Sequence, residues 1–205
     1  MRGADERPKE HGADAPAFSL RSTRLRLRRF RVEDLEPFLA YHNDPEVVRY
    51  QSWEPFTRAE GLAFMREQAT RPMFQQGQWT QVAIEFEGDA ALIGDCALYV
   101  DAADARLAEL GITIAPARQG RGFAREALTR LLDDRFSRRA LHRVVANVDP
   151  GNTPSIALFE GLGFVREGHL RENEWIRGEW CDTLVFGCLA REWGADPRRA
   201  GARAR

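Results

Sequence analysis

The chain has 205 residues and a nearly balanced charge, since 30 Lys and Arg stand against 31 Asp and Glu. This length favours one domain, because single cores of up to roughly 200 to 250 residues are common. Hydrophobic residues make up 43% of the sequence, which excludes a disordered chain. The net charge of −1 gives no chain-wide field of the kind that attracts nucleic acid, so we predict no nucleic-acid partner.

The sequence has no apolar run near the roughly 18 to 20 residues that a membrane-spanning helix needs, and its N-terminus is too polar for a secretory signal. We therefore predict a cytoplasmic protein without a membrane partner. The three cysteines, Cys96, Cys181 and Cys188, lack CxxC spacing, and the four histidines are scattered singly. This pattern predicts neither a disulfide framework nor a metal site.

Both ends of the chain lack hydrophobic periodicity. Residues 1–18 and 194–205 are rich in Ala, Gly, Pro and charge, which is typical of disordered segments, and the second of them is rich in Arg. We therefore predict one domain over residues 19–193 between two disordered tails.

Hydrophobic periodicity predicts strands and helices over this domain. Leu25 and Leu27 alternate with arginine, as in a strand with one solvated face, whereas Ala124, Leu128 and Leu131 recur at helical steps. The predicted strands cover residues 23–30, 79–86, 91–100, 107–115, 142–149, 164–169 and 181–189. The predicted helices cover residues 32–42, 57–69, 120–139 and 152–161, which together indicate an α/β domain with a mixed sheet.

Residues 112–124 lead from a predicted strand through Gly120 and Gly122 into the longest predicted helix. Glycines let the backbone approach a ligand closely, and the first N–H groups of a helix are unpaired, so this run predicts a cradle for a phosphate or pyrophosphate. A plain glycine turn is the alternative. A dinucleotide-binding oxidoreductase fits poorly, because position 125 is Arg where the third glycine of that fingerprint would stand.

A second run, residues 152–164, reads NTPSIALFEGLGF. Taken alone, it indicates a helix with Asn152 as its N-cap, followed by a glycine exit and a strand. Together, about 30 residues apart and in this order, the two runs resemble the acetyl-CoA-binding signature of the GNAT superfamily of N-acetyltransferases. The first is similar to its (Q/R)xxGxG/A motif and the second to its NxxSxxLYExLGF motif.

The resemblance covers roughly residues 23–193. Residues 172–182 are similar to the branch related to ribosomal-protein N-terminal acetyltransferases of the RimJ/RimL type. The resemblance implies an α/β fold (α+β in some schemes) with one mixed, mostly antiparallel sheet of about seven strands and about four flanking helices. It also implies acetyl-CoA as the acyl donor and no metal.

The resemblance assigns cofactor roles residue by residue. In this family the strand before the glycines splays from its neighbour, its backbone pairs with the pantetheine arm, and the amides after it hold the pyrophosphate. Two flanking arginines are candidates for the phosphates. The implied acetyl-CoA contacts are Ile112, Thr113, Ile114, Arg118, Gln119, Gly120, Arg121, Gly122, Phe123, Ala124, Asn152, Ser155 and Phe159.

Two positions depart from the family pattern. Ala117 stands where the first motif usually has Gln or Arg, so one side-chain contribution to the cradle is absent. Phe159 stands where many members have the tyrosine that protonates the departing thiolate, and phenylalanine has no proton to donate. Ser155 lies one helical turn earlier, and the RimL-type branch has its proposed acid at this motif position, so Ser155 is our candidate acid.

An amine acceptor of pKa about 10 is mostly protonated at neutral pH, so the reaction needs a base. Glu109, on the strand before the glycines, and Glu174, in the predicted closing loop, are the candidates. An acidic, aromatic mouth formed by Trp53, Glu172 and Trp175 would attract a cationic amine.

These observations predict an acetyl-CoA-dependent N-acetyltransferase that acts on a primary amine by direct transfer in a ternary complex. The acceptor would be a protein N-terminus or a small cationic amine such as an aminoglycoside or polyamine. The alternative is a non-catalytic acyl-CoA-binding sensory module, which the departures at Ala117 and Phe159 favour. A homodimer is plausible by family analogy.

Overall fold

The computed structural model describes residues 18–138 and 140–195. Its strands are β1 (Ser19–Arg21), β2 (Leu25–Arg28), β3 (Trp79–Phe86), β4 (Ala91–Val100), β5 (Leu107–Ile114), β6 (Arg143–Val148), β7 (Val165–Ile176) and β8 (Glu179–Leu189). Its α-helices are α1 (Leu35–His42), α2 (Pro45–Val48), α3 (Arg58–Thr70), α4 (Phe123–Arg138), α5 (Thr153–Gly161) and α6 (Ala190–Ala195). Short 3₁₀ turns cover Val32–Asp34 and Pro116–Arg118.

All eight strands form one sheet in the order β1-β2-β3-β4-β5-β6-β8-β7, in which only the β5–β6 pair is parallel. This architecture confirms the predicted α/β fold with a mostly antiparallel sheet. The sequence analysis missed the three-residue strand β1 and the short helices α2 and α6. These elements are too brief to establish a periodicity of their own.

Helices cover both faces of the sheet. On one face, α4 buries Leu128 and Leu131 against strand residues such as Leu98 and Leu110, in the same core as Phe159 of α5. On the other face, α1 and α3 form a second core in which Phe38 and Met65 are completely buried. The apolar stripe of each helix is therefore removed from water, which is the main stabilising contribution to such a layered fold.

The strands β5 and β6 separate after a short paired segment. They pair at three positions only, and Glu109 opposite Val145 is the last of them. Beyond this point the rest of β5 remains paired with β4 alone, up to Ile114. The sheet is thus split between its two parallel strands, and the split opens towards the N-terminal ends of α4 and α5.

The predicted closing loop is wrong, because residues 170–180 form a hairpin. β7 continues to Ile176 and β8 begins at Glu179, with positive φ angles at Arg177 (49°) and Gly178 (86°) in the connecting turn. This is the backbone twist that two-residue hairpin turns require. Register shifts near Gly168 and before Glu174 interrupt the period-two pattern, which hid the full length of β7 from the sequence analysis.

Most residues of the two predicted tails lie outside the part of the chain that the structure describes. Residues 1–17 and 196–205 lie beyond the described part of the chain. Phe18, which we assigned to the first tail, packs edge-on against Phe74 at 5.3 Å, and α6 continues past our boundary to Ala195. Within residues 18–138 and 140–195, no helix is long and apolar enough to cross a membrane, and no three His, Cys, Asp or Glu side chains are grouped to hold a metal ion.

Candidate active site

A cleft of about 720 Å³ lies where β5 and β6 separate. One wall comes from the end of β5 and the start of α4, and the other comes from the start of α5 and from α2 with the residues after it. It is lined by Glu46, Val47, Tyr50, Gln51, Ile112, Thr113, Ile114, Arg118, Gln119, Gly120, Gly122, Phe123, Ala124, Arg125, Asn152, Pro154, Ser155, Ala157 and Leu158. Eleven of the thirteen predicted acetyl-CoA contacts are among these residues, and Arg121 and Phe159 are not.

Residues 119–124, which lead into α4 and include its first two residues, are called the glycine loop. Gly120 and Gly122 have φ angles of +70° and +78°, which explains why α4 begins at Phe123 and not at residue 120 as predicted. Within the described ranges, the amide N–H groups of residues 120–124 donate no hydrogen bond to another group of the chain. A Cβ atom at Gly120 would meet no atom within 4 Å. The loop therefore offers free amides and open space, which suits a pyrophosphate.

Side chains around the glycine loop are organised for different tasks. The Gln119 side-chain amide donates to the Ile114 carbonyl over 2.9 Å, which ties the loop to the end of β5. Arg118 forms an ion pair with Asp89 at 2.7 Å, and this contact holds the pKa of Asp89 below its usual value. Arg121 lies 5.2 Å from the Phe123 ring centroid and has no carboxylate partner among the described residues. The charge of Arg121 is therefore more available to a phosphate than the charge of Arg118.

The start of α5 presents polar groups to the cleft. The Asn152 side chain accepts a hydrogen bond from the Ser155 backbone N–H at 3.1 Å, as the predicted N-cap requires. The Ser155 hydroxyl makes no hydrogen bond to any described residue, so it is free to meet a ligand. Phe159 points elsewhere: it is 3% exposed and packs on Phe164 and Phe186 at 5.3 and 6.1 Å.

The predicted role of Phe159 as a cofactor contact is therefore not supported by its position, because its ring belongs to the core beneath α5 and is absent from the cleft wall. The different positions of Ser155 and Phe159 along α5 explain why only Ser155 lines the cleft. Phe159 follows Ser155 by four residues, close to the same face of the helix, but the deeper turn of α5 packs against β8 whereas the first turn stands at the cleft.

The two candidate bases lie near each other. Glu109 stands at the last paired position before the strands separate, and its carboxylate accepts a hydrogen bond from Asn147 of β6 at 3.1 Å. Burial raises the pKa of Glu109 and the negative charge of Glu174 raises it further, whereas the Asn147 hydrogen bond opposes both. Glu174 itself accepts a hydrogen bond from Thr183 at 3.4 Å. From Glu109 to Ile112 the strand rises by roughly 10 Å, so the pair lies deeper in the split than the cleft lining.

The predicted acceptor mouth is assembled only in part. Trp53 lies on the His42 ring at a centroid distance of 4.7 Å, and the Arg177 guanidinium of the β7–β8 turn donates to the Trp53 carbonyl. Glu172 and Trp175 are elsewhere: both are exposed, and Trp175 forms a T-shaped ring pair with Trp180. Neither residue is part of the cleft lining, and Glu172 instead lines a separate depression with His169 and Asp182.

Several residues of the site were missed by sequence reasoning. Tyr50 and its neighbours of the α2 segment line the cleft, but a four-residue helix carries no motif. Asn147 binds Glu109 from a strand 38 residues away. Arg125 donates to the Gly161 carbonyl at 2.6 Å and thereby connects α4 to the end of α5. Of these residues, only Arg125 is next to a motif that the sequence analysis identified, because it lies one residue after the glycine loop.

Comparisons with known proteins agree with this architecture. Residues 24–165 match the family of acetyltransferase (GNAT) domains. The uncharacterized N-acetyltransferase p20 of Bacillus licheniformis is 34% identical over 175 residues, which are 85% of this chain and 98% of that protein. The spermidine N(1)-acetyltransferase of Vibrio cholerae is 31% identical over 162 residues, which are 79% of this chain and 91% of that protein.

Solved structures extend the likeness to the fold. A GNAT-family acetyltransferase from Bacillus anthracis has a TM-score of 0.77 at 25% identity and covers 85% of this chain and 100% of its own. The spermidine N-acetyltransferase of Vibrio cholerae in complex with CoA and spermine has a TM-score of 0.72 at 29% identity, covering 84% and 99%. The chain therefore belongs to the GNAT acetyltransferase family, which uses acetyl-CoA, and it is an N-acetyltransferase.

Proposed function

We propose that the protein transfers an acetyl group from acetyl-CoA directly to a small cationic amine, with both molecules bound at the split between β5 and β6. The observation that carries this proposal is a juxtaposition. Free amides of the glycine loop lie at one end of the split, and a half-buried carboxylate, Glu109, lies at its apex.

The donor side is supported by the chemistry of the groups that line it. Amides of residues 120–124 are free to bind the two phosphates, and Arg121 adds a positive charge. The edge of β5 from Ile112 to Ile114 pairs with no described strand on the side of β6. Apart from the Ile114 carbonyl, which accepts from Gln119, the backbone groups on this edge are available to the pantetheine arm. Bound acetyl-CoA supplies the activated thioester, while these groups orient it.

The base we propose is Glu109. A carboxylate with a raised pKa is a better proton acceptor than an ordinary one, and both burial and the charge of Glu174 raise the pKa of Glu109. The two acids together also favour a positively charged acceptor in the split. Glu174 is then a charge that tunes Glu109, and the proton passes from the ammonium to Glu109 through a water.

The acid we propose for the departing thiolate is Ser155, whose hydroxyl is half-buried at the cleft and free of partners among the described residues. Tyr50, which follows α2 on the same wall, is the second candidate, because it also lines the cleft and carries a hydroxyl. The substitutions Ser155→Ala and Tyr50→Phe separate the two. We expect Ser155→Ala to lower kcat roughly 10² fold, within the range of general acid catalysis, and Tyr50→Phe to leave it nearly unchanged.

The acceptor class rests on charge and on relatives. The spermidine acetyltransferases of Vibrio cholerae and of Escherichia coli are 31% and 26% identical to this chain. Together with Glu109 and Glu174, this supports a polyamine-like acceptor over a protein N-terminus. The likeness of residues 172–182 to the RimJ/RimL-type branch keeps a peptide N-terminus as the alternative.

A thiol-release assay with a panel of amines and N-terminal peptides tests this function, after titration calorimetry with acetyl-CoA. Release of CoA with spermidine or a related cation, and slower release with peptides, is the expected result. Binding of acetyl-CoA without release in any reaction would favour the non-catalytic sensory module. Absence of binding at hundred-micromolar acetyl-CoA would overturn the proposal.

A further inference from the structure

We propose that Arg24, the residue that precedes β2, positions the glycine loop for pyrophosphate binding. This inference rests on the proposed function of the loop. Arg24 lies about a hundred residues before the loop in the sequence and does not line the cleft. Its role would be to hold the loop from behind, on the side opposite the bound phosphates.

The guanidinium of Arg24 makes three contacts around the loop. Its Nη1 donates to the Arg121 carbonyl over 3.1 Å, and its Nε donates to Glu126 over 2.7 Å. Its central carbon lies 4.5 Å from the centroid of the Phe123 ring, which is the geometry of a cation–π contact. One side chain therefore binds the loop, the first turn of α4 and the buried ring between them.

Glu126 fixes Arg24 in this position. Its second oxygen accepts hydrogen bonds from the Ser22 hydroxyl at 2.8 Å and from the Arg24 backbone N–H at 2.7 Å. Although burial acts in the opposite direction, these donors hold the pKa of Glu126 below its usual value. The carboxylate is thus charged at neutral pH and holds the guanidinium in one orientation.

The contact with the Arg121 carbonyl determines where the next amide points. A trans peptide unit is planar, and its C=O and N–H groups point in opposite directions. Because Arg24 holds the Arg121 carbonyl, the N–H of Gly122 points away from Arg24, on the side of the loop where Gly122 lines the cleft.

This constraint matters because the loop is intrinsically permissive. Gly120 and Gly122 flank Arg121, and glycine allows both signs of φ at little cost, so the peptide between residues 121 and 122 is free to flip unless something holds it. A flipped peptide would present a carbonyl to the phosphates in place of an amide. Arg24 is therefore a positioning residue that acts through the loop.

The test compares two ligands, one with and one without a pyrophosphate. We expect Arg24→Ala to weaken the binding of CoA roughly tenfold or more, the scale of one lost hydrogen bond to a charged group. Pantetheine, which lacks the pyrophosphate, should bind the variant and the wild type equally. Titration calorimetry measures CoA, and ligand-observed NMR at millimolar concentration measures pantetheine.

Arg26→Ala is the matched control, because Arg26 lies two residues along β2 and contacts Ser19 and Glu85 without reaching the loop. It should bind both ligands like the wild type. Arg24→Met keeps the apolar stem over Phe123 and removes the donors, so it should reproduce the selective loss even where Arg24→Ala folds poorly.

The outcomes separate this inference from the proposed function. Equal binding of CoA by the wild type and Arg24→Met, or an equal loss for CoA and pantetheine, would overturn the role of Arg24 while the proposed function stands. A wild-type protein that does not bind CoA would overturn the proposed function itself.

Discussion

The two sides of the split differ in how they are built. The donor side is made mainly of backbone: free amides of the glycine loop and the unpaired edge of β5 lie within 13 consecutive residues, 112–124. The proposed acceptor side is made of side chains from four strands, with Glu109 on β5, Asn147 on β6, Glu174 on β7 and Thr183 on β8.

This difference predicts different sensitivities. A backbone site tolerates most side-chain changes but not a side chain where a glycine must be, since the added atoms occupy the space of the ligand. The acceptor side responds to the removal of a single charge or hydrogen bond, because Glu174 and Asn147 both influence the pKa of Glu109. The following substitutions test the two behaviours.

The largest effect should come from the acceptor side. Glu109→Gln removes the proposed base and keeps the shape of the side chain, so we expect kcat to fall by roughly 10² to 10⁴ fold at neutral pH. Acetyl-CoA affinity, measured by calorimetry, should stay within about twofold of the wild type, because Glu109 does not line the cleft. A variant with wild-type kcat would assign the base to another residue.

On the donor side, a single side chain introduced into the glycine loop should disrupt the binding of acetyl-CoA. Gly120→Val places a branched side chain in the open space in front of the loop, and we expect a loss of acetyl-CoA affinity of roughly 10² fold. Positive φ adds strain, so a control is needed. Gly178→Val at the β7–β8 turn has a similar φ angle, +86° against +70°, and also meets no atom within 4 Å. The control should be destabilised alike and bind acetyl-CoA normally.

The same difference explains which features could be predicted from the sequence and which could not. The bounds of β3 and β4, the Asn152 cap of α5 and the glycine loop were predicted because each depends on residues that are close together in the sequence. The partner of Glu109, Asn147, and the support of the loop by Arg24 were missed. They are contacts between segments distant in the chain, and no local pattern encodes them.

A third prediction concerns the residue that replaces the family tyrosine. Phe159→Tyr would add a hydroxyl in the apolar cluster of Phe164 and Phe186, where we expect it to cost about 1 to 3 kcal/mol of unfolding free energy. kcat should not rise, because the ring does not line the cleft. Urea denaturation and steady-state kinetics measure the two effects.

Phe164→Tyr is the control for this substitution, since Phe164 is 4% exposed in the same cluster and should lose stability to a similar extent. If Phe159→Tyr instead raised kcat without losing stability, position 159 would reach the thiolate, and the donor side would include a side chain that we assign to the core.

The smallest effects should be shifts in the pH dependence of kcat/KM, and their signs test the coupling on the acceptor side. A base works when deprotonated, so activity rises with pH through the raised pKa of Glu109.

Glu174→Gln removes a negative charge that raises this pKa, so the acidic limb should move to lower pH. Asn147→Ala removes a hydrogen bond that lowers the pKa, so the limb should move to higher pH. Each shift should be roughly half a unit to one unit. Glu172→Gln, at an exposed position two residues from Glu174, should leave the limb in place, because Glu172 is not among the groups that shift the pKa of Glu109. Using one acceptor amine for all four proteins keeps the titration of the amine constant, so opposite shifts for Glu174→Gln and Asn147→Ala would assign the limb to Glu109. Shifts of the same sign would mean that the limb belongs to a different group.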